Sequence, residues 1–265
     1  VQGGTLQVAI VKDNPLVGVF NETFYSDGYD GILIDNFLGA GIFETDENFE
    51  VTDGGIATLT VDAENKKATI KIKDGMKWSD GQPIVADDVI YAYEVVGNKD
   101  YTGVRYDGDF KNVVGMEEYH NGKADSVSGL EKVDDYTVKI HFKEMSPSMQ
   151  LAGGSVSAYI MPKHIFKDIP EAEWEQSDYV RGKKFVGLGQ FKIDSIVAGE
   201  SVTLVPNEHY YKGVAKVDKV VMEVVSPDNI VSEMKAGNYD IATMPNAQYE
   251  AYKDLTNVTF VSSLQ

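Results

Sequence analysis

Apolar residues recur along this chain with a period of two in short runs and with a helical period in a few longer ones, which predicts hairpins mixed with amphipathic helices. Residues 5–11, TLQVAIV, predict a strand whose later residues are apolar on both faces and therefore buried. A glycine- and aromatic-rich loop spans 14–31; loops of that length inside a compact domain are usually functional or covered by another element. The segment 32–45 is a short amphipathic stretch running into Gly39-Ala40-Gly41. Paired alternating runs predict three hairpins: 57–61 with 67–72, 130–133 with 137–142, and 191–197 with 201–207. Between the first two lies a predicted helix that opens on Asp87-Asp88 after Pro83 and carries Val89, Ile90, Tyr93 and Val96 on one face. Two carboxylates suit the positive end of a helix. Residues 101–123, mixed in Tyr, Gly, Asp and Asn, read as an irregular surface excursion.

The pattern then changes. Residues 219–225 predict a strand and 226–238 a helix, with Ser226 as N-cap, Pro227 at the first helical position, Asp228 in the first turn and Gly237 as the stop. A strand over 239–244, a helix over 246–255 and a strand over 258–263 complete a parallel or mixed α/β layer. The sequence contains no internal repeat and no Pro/Ser linker tract. Its end at Leu264-Gln265, directly after an alternating run, would leave a sheet edge open.

Composition narrows the function. With 265 residues, 43% hydrophobic and 25% charged, the chain has room for one large domain or two smaller ones. The formal charge of −18 argues against nucleic acid and anionic membrane surfaces as partners. Solubility accounts for that charge, with steering of cationic ligands as the alternative. The absence of cysteine excludes disulfides, thiolate metal sites and cysteine nucleophiles. No apolar run approaches the roughly 18 residues of a membrane span, and the start lacks the layout of a signal peptide, as expected of a mature or trimmed chain. His120, His141, His164 and His209 are scattered without metal-ligand spacing, so neither a metal nor a cofactor is expected. Asp87-Asp88 starts a helix and Asp134-Asp135 sits in a hairpin turn, which speaks against the facing carboxylates of a glycosidase. Nucleophile-elbow, P-loop and dinucleotide fingerprints are missing.

Residues 76–96, MKWSDGQPIVADDVIYAYEVV, carry a longer pattern, W-S-D-G-x-P-[VI]-x-A-x-D-V. It resembles the signature of the oligopeptide/dipeptide-binding proteins of ABC importers, extracellular solute-binding protein family 5. Further elements occur in that family's order over nearly the whole chain. They are the hairpin from Gly129 to Val138, the corner Met161-Pro162-Lys163 and the corner Gly187-Leu188-Gly189-Gln190-Phe191. The aromatic pair Tyr210-Tyr211 comes next, after Pro206-Asn207, and then the helix end Ala236-Gly237-Asn238-Tyr239-Asp240. Two positions depart from the pattern. Val85 stands where a helix-capping Thr is common, which leaves capping to Asp87 and Asp88 or to water, and Gln190 replaces the usual proline.

The resemblance implies an α/β fold: a periplasmic-binding-protein-like lobe, a mixed sheet with flanking helices, into which a small β-rich α+β domain is inserted. On this numbering the first lobe would be 1–42 plus 158–265, in part, and the inserted domain 43–157. Members are about twice as long, so the second, closing lobe is expected to be absent from this chain, which would be truncated at its end. The resemblance also implies that the loop after the first strand lines the ligand cleft, with Gly18, Val19, Phe20, Asn21, Glu22 and Tyr25 as contacts offering backbone groups to an extended peptide. The alternative is that Phe20 and Phe24 pin the loop to the core. Thr243, Met244 and Asn246 form a second candidate group, because ligands of open α/β sheets gather at the carboxyl ends of strands. For Met244 a structural role is equally open. Trp78 and the pair Tyr210-Tyr211 read as structural.

The expected function is that of an extracytoplasmic substrate-binding component of an ABC importer, a cell-surface lipoprotein or a periplasmic protein. It would act as a monomer, capturing oligopeptides by closure of two lobes and delivering them to a membrane permease. One alternative is the same scaffold tuned to another solute, a nickel chelate or an oligosaccharide. Another is a surface adhesion or signalling module that no longer transports.

Overall fold

A computed structural model describes residues 3–39, 41–151, 156–244 and 246–261. Among the described residues eleven strands are numbered in chain order: β1 (Thr5–Val11), β2 (Glu44–Thr45), β3 (Val51–Thr52), β4 (Ala57–Asp62), β5 (Lys67–Ile72), β6 (Leu130–Asp134), β7 (Thr137–His141), β8 (Phe191–Val197), β9 (Ser201–Pro206), β10 (Lys219–Val225) and β11 (Ile241–Ala242). The chain forms two compact units, one of Val1–Gly18, Ile193–Pro206 and Ala215–Gln265, the other of Val19–Lys192 and Asn207–Val214.

The first unit holds a mixed sheet in the order β11-β1-β10-β9-β8. β1 runs parallel to both β10 and β11, while β10 and β9 are antiparallel. Its second half, Val8 to Val11, is buried, as its run of apolar residues predicts. The helix Pro227–Ala236 seats Ile230 and Met234 against Ala9, Val11 and Val225. Proline occupies its first turn, and Gly237 ends it at φ 75°, a left-handed position that glycine adopts at no steric cost. Ser226 has the extended backbone of an N-cap, yet its side chain makes no capping hydrogen bond.

Past this helix three predicted elements fall short. The strand over 239–244 contracts to Ile241–Ala242. The helix over 246–255 divides into a 3₁₀ turn, Asn246–Gln248, and one α turn, Tyr249–Tyr252. Residues 258–261 form no strand, and 262–263 lie outside the described residues. Alternation yields a strand only beside a partner backbone, and β11 is the last strand of the sheet. Phe260 instead packs its ring on Tyr252, 5.6 Å between centroids.

The second unit is built on an antiparallel sheet in the order β4-β5-β7-β6. Ala68, Ile70 and Ile72 of β5 and Val138 and Ile140 of β7 face one core, the period-two reading made physical. The helix Ala86–Gly97 is buried on two faces. Ala86, Val89, Tyr93 and Val96 join the sheet's core, and Tyr91, Ala92 and Val95 join a second cluster with Val19, Phe24, Phe166, Trp174 and Val180. That second face is why residues 19–42 and 158–192 pack in the same compact unit as the four-stranded sheet. The excursion over 101–123 is more than surface. It forms short helices Gly108–Lys111 and Met116–His120, and Phe110, Val113 and Met116, spaced three apart, reach the sheet's core.

Two corners meet at residues 38–39. A Cβ on Gly189 would fall 2.5 Å from the Phe37 carbonyl oxygen and into the backbone of Leu38 and Gly39, so only glycine fits. Asn207, fully buried, closes the corner: its Nδ2 donates to the Gly189 carbonyl at 2.9 Å and its backbone N–H to the Gln190 carbonyl at 2.8 Å.

Candidate ligand-binding loop and strand-end corner

The loop after β1 is an ordered turn. The Val19 N–H donates to the buried Asp30 carboxylate at 2.8 Å and the Phe20 N–H to the Val180 carbonyl at 2.9 Å. Asn21 organises residues 23–25. Its Oδ1 accepts from the Thr23 N–H at 2.9 Å and hydroxyl at 2.5 Å, and its carbonyl accepts from the N–H groups of Phe24 at 3.1 Å and Tyr25 at 2.9 Å. Val19, Phe20 and Phe24 are 3%, 1% and 3% exposed. Phe20 and Phe24 therefore pin the loop to the core, and any contact from Phe20 to a ligand falls to its backbone.

Glu22 is the electrostatic outlier. Its Oε2 is buried and, among the described residues, has no hydrogen-bond partner. Burial pushes its carboxyl up to about 8, with the Asp35 charge adding to the shift and Arg105 opposing it. Asp35 lies on a π turn, Ile34–Leu38, closed by the Gly39 N–H on the Ile34 carbonyl at 2.9 Å. Phe20, Asn21 and Glu22 also line a cavity of about 30 Å³ with Trp78, Pro162 and Gly187.

Besides Asp30, two residues that sequence reasoning did not single out hold this loop. The Tyr101 hydroxyl donates to the Thr23 carbonyl, and Arg105 donates to the Glu22 and Tyr25 carbonyls, each at 3.4 Å. The one local signal was residue choice: the chain has two arginines, Arg105 and Arg181, among 24 basic residues.

Gly18 belongs to the unit of β1, whereas Val19 to Tyr25 belong to the other. Thr243, Met244 and Asn246 also lie in the unit of β1. Thr243 and Asn246 are exposed beyond the end of β11, and Met244 is half-buried against the cluster of Ile230 and Met234. Trp78 is buried, and Tyr210 and Tyr211 are half-buried, stacked edge-on with Tyr211 donating to Glu44 at 2.6 Å. His164 pairs with Asp80, His141 with Glu131, and His120 stacks on Tyr106. Among the described residues, no three of His, Cys, Asp and Glu converge on a metal-sized site, and no helix is long and apolar enough to cross a membrane.

Known proteins are similar to this chain in sequence and fold. The family model for bacterial extracellular solute-binding proteins, family 5 Middle, matches residues 52–264. The chain is similar to the oligopeptide-binding protein OppA of Lactococcus lactis subsp. lactis, 36% identical over 220 residues, covering 81% of this chain and 36% of the relative. It is also similar to the oligopeptide-binding protein AppA of Bacillus subtilis, 28% identical over 274 residues, covering 99% of this chain and 45% of that one. Among solved structures, lactococcal OppA complexed with an endogenous peptide in the closed conformation superposes with a TM-score of 0.91 at 32% identity, over 96% of this chain and 48% of the other. The fold is thus periplasmic-binding-protein-like α/β, and the chain spans less than half the length of these relatives. Their names describe binding proteins, and the family is extracellular. The chain belongs to the bacterial extracellular solute-binding proteins of family 5.

Proposed function

We propose that the whole protein captures oligopeptides outside the cytoplasm and delivers them to the permease of an ABC importer, without chemistry of its own. The likeness to peptide-bound lactococcal OppA, over 96% of this chain, carries the reading. In it, the first lobe comprises 1–42 and 158–265, residues 43–157 are its insertion, and a second lobe closes over the peptide. Gly18 to Glu22 and Tyr25 form one wall of the cleft, and Thr243, Met244 and Asn246 contribute at the strand-end corner. With Val19, Phe20 and Phe24 buried, the loop presents few apolar side chains to a ligand, which suits peptide binding with little side-chain selectivity. The protein works as a monomer, as a lipoprotein at the cell surface or free in a periplasm.

Isothermal titration of the full-length protein with a pool of random nonapeptides tests this. Saturable binding is the expected result. Silence with peptides, together with binding of a nickel chelate or an oligosaccharide, would overturn it.

A further inference from the structure

We propose that Arg105 is a positioning residue for the ligand-lining loop, a clamp that holds the backbone of Glu22 to Tyr25 in its binding shape before a peptide arrives. The role as clamp stands on geometry alone; its relevance to peptide rests on the function proposed for the whole protein.

The guanidinium meets the loop three times. Nε donates to the Glu22 carbonyl and Nη2 to the Tyr25 carbonyl, both at 3.4 Å, and its central carbon lies over the Tyr25 ring at 4.4 Å from the centroid. On a further side Tyr159 presents its ring at 5.6 Å. The two hydrogen bonds are long, and cation–π attraction to the two rings adds to the hold. Tyr101, four residues upstream, adds a fourth point through its hydroxyl on the Thr23 carbonyl, and the same hydroxyl accepts the Arg105 N–H at 3.4 Å. Segment 101–105 thus reaches three carbonyls of one turn, those of Glu22, Thr23 and Tyr25.

Residue choice supports the same reading. The chain carries its positive charge on 22 lysines and two arginines. A lysine ammonium is a compact point charge, whereas a guanidinium holds a rigid fork of donors that reaches two divergent carbonyls with its carbon over an aromatic ring. Nor does Arg105 serve to pair a carboxylate, because among the described residues none lies within 4 Å of it. Its nearest carboxylate influences are Glu22 and Asp35, which act through space.

The test compares Arg105→Lys and Arg105→Gln with the wild-type full-length protein, by amide hydrogen exchange over residues 19–25 without ligand and by titration with the nonapeptide pool. Both variants are expected to raise exchange in the loop and to weaken binding by about tenfold, the scale of one charge-assisted hydrogen bond, with exchange in β5 and β7 unchanged. Lysine is expected to rescue neither readout. Unchanged exchange in the loop, or full rescue by lysine, overturns the clamp. Raised exchange with unchanged peptide affinity overturns its role in binding. If the wild-type protein binds no peptide, the functional reading fails, while the exchange data still decide whether Arg105 is a clamp. Should Arg105→Gln not fold, Tyr159→Leu removes one of the two rings near the guanidinium with Arg105 in place and is expected to raise loop exchange by about threefold. No rise would count against the clamp.

Discussion

The Asp88 carboxylate accepts the indole N–H of Trp78 at 3.0 Å, and both groups are buried, with 2% of either residue exposed. The same oxygen accepts the Val85 N–H at 3.0 Å, and the other oxygen accepts the Lys163 N–H at 3.0 Å. Asp88 therefore caps its own helix from the third position, supplying what Val85 cannot, and joins the tryptophan turn to the Met161-Pro162-Lys163 corner. The most recognisable motif of the chain is a structural joint within one unit. Asp87, its neighbour, instead faces solvent and pairs with Lys132 at 2.7 Å.

Replacing Asp88 by Ala should be among the most damaging single changes. It strands three N–H donors, two of them backbone, and opens a small void beside Trp78. We expect a loss of about 3–4 kcal/mol, read by urea or thermal unfolding. Asn keeps the shape but presents an NH₂ to one donor, so Asp88→Asn should cost about half as much. A change under about 0.5 kcal/mol for Ala, the usual range of an inconsequential surface site, would sink this account.

Gly189→Ala tests the second corner. The added methyl meets backbone atoms of residues 37–39, which cannot swing aside as a side chain would. A cost of about 3 kcal/mol or more is expected, in line with overpacking against fixed atoms, and soluble yield should fall with it. Thermal melting at or near the wild-type midpoint would contradict the close approach.

Much of the fold was legible because its cause is local. Ala68, Ile70 and Ile72 alternate, so β5 was readable, and Pro227 and Gly237 bracket a helix with the ordinary chemistry of its ends. Residues 258–261 misled for the same reason: Val258 and Phe260 alternate, but alternation does not supply a neighbouring strand. The candidate site was legible only as a location. Its loop is held by Arg105 and Tyr101, about 80 positions away in sequence, and no window of local pattern contains both partners. That Phe20 would be buried could likewise not be separated from a cleft-facing role, since either demands an aromatic residue at that position.

Glu22 should make stability depend on pH in an unusual direction. Its carboxyl titrates near 8 in the folded protein, against 4.5 for a free glutamate. Between those values the folded state keeps a proton that the unfolded state has released, so this group's contribution declines as pH rises through the window and levels off above it. A paired carboxylate would do the reverse. The melting temperature of the wild-type protein should fall relative to Glu22→Gln between about pH 5 and about pH 9, by an amount worth a few kcal/mol at most. Parallel pH profiles for the two proteins would show that Glu22 is not held neutral.

The strand-end corner offers a prediction of its own. Asp240 exchanges two hydrogen bonds with Gln7 of β1, its N–H to the Gln7 carbonyl and its carboxylate from the Gln7 N–H, each at 2.8 Å. One residue earlier, Tyr239 donates its hydroxyl to Glu223 of β10 at 2.7 Å. These tethers sit where β11, only two residues long, has little ladder of its own to hold Thr243 and Asn246 in place. Asp240→Ala should therefore loosen Ile241 to Met244 far more than it lowers the midpoint of global unfolding. We expect a global loss of about 1 kcal/mol, since the carboxylate bond is exposed, and a larger local rise in amide exchange at Ile241 and Ala242. Tyr239→Phe should lose about 1 kcal/mol and leave β11 in place, because the ring still packs with Ile230 and Met234. Exchange at β11 that is equal in the two variants would mean that Asp240 is not what anchors the corner.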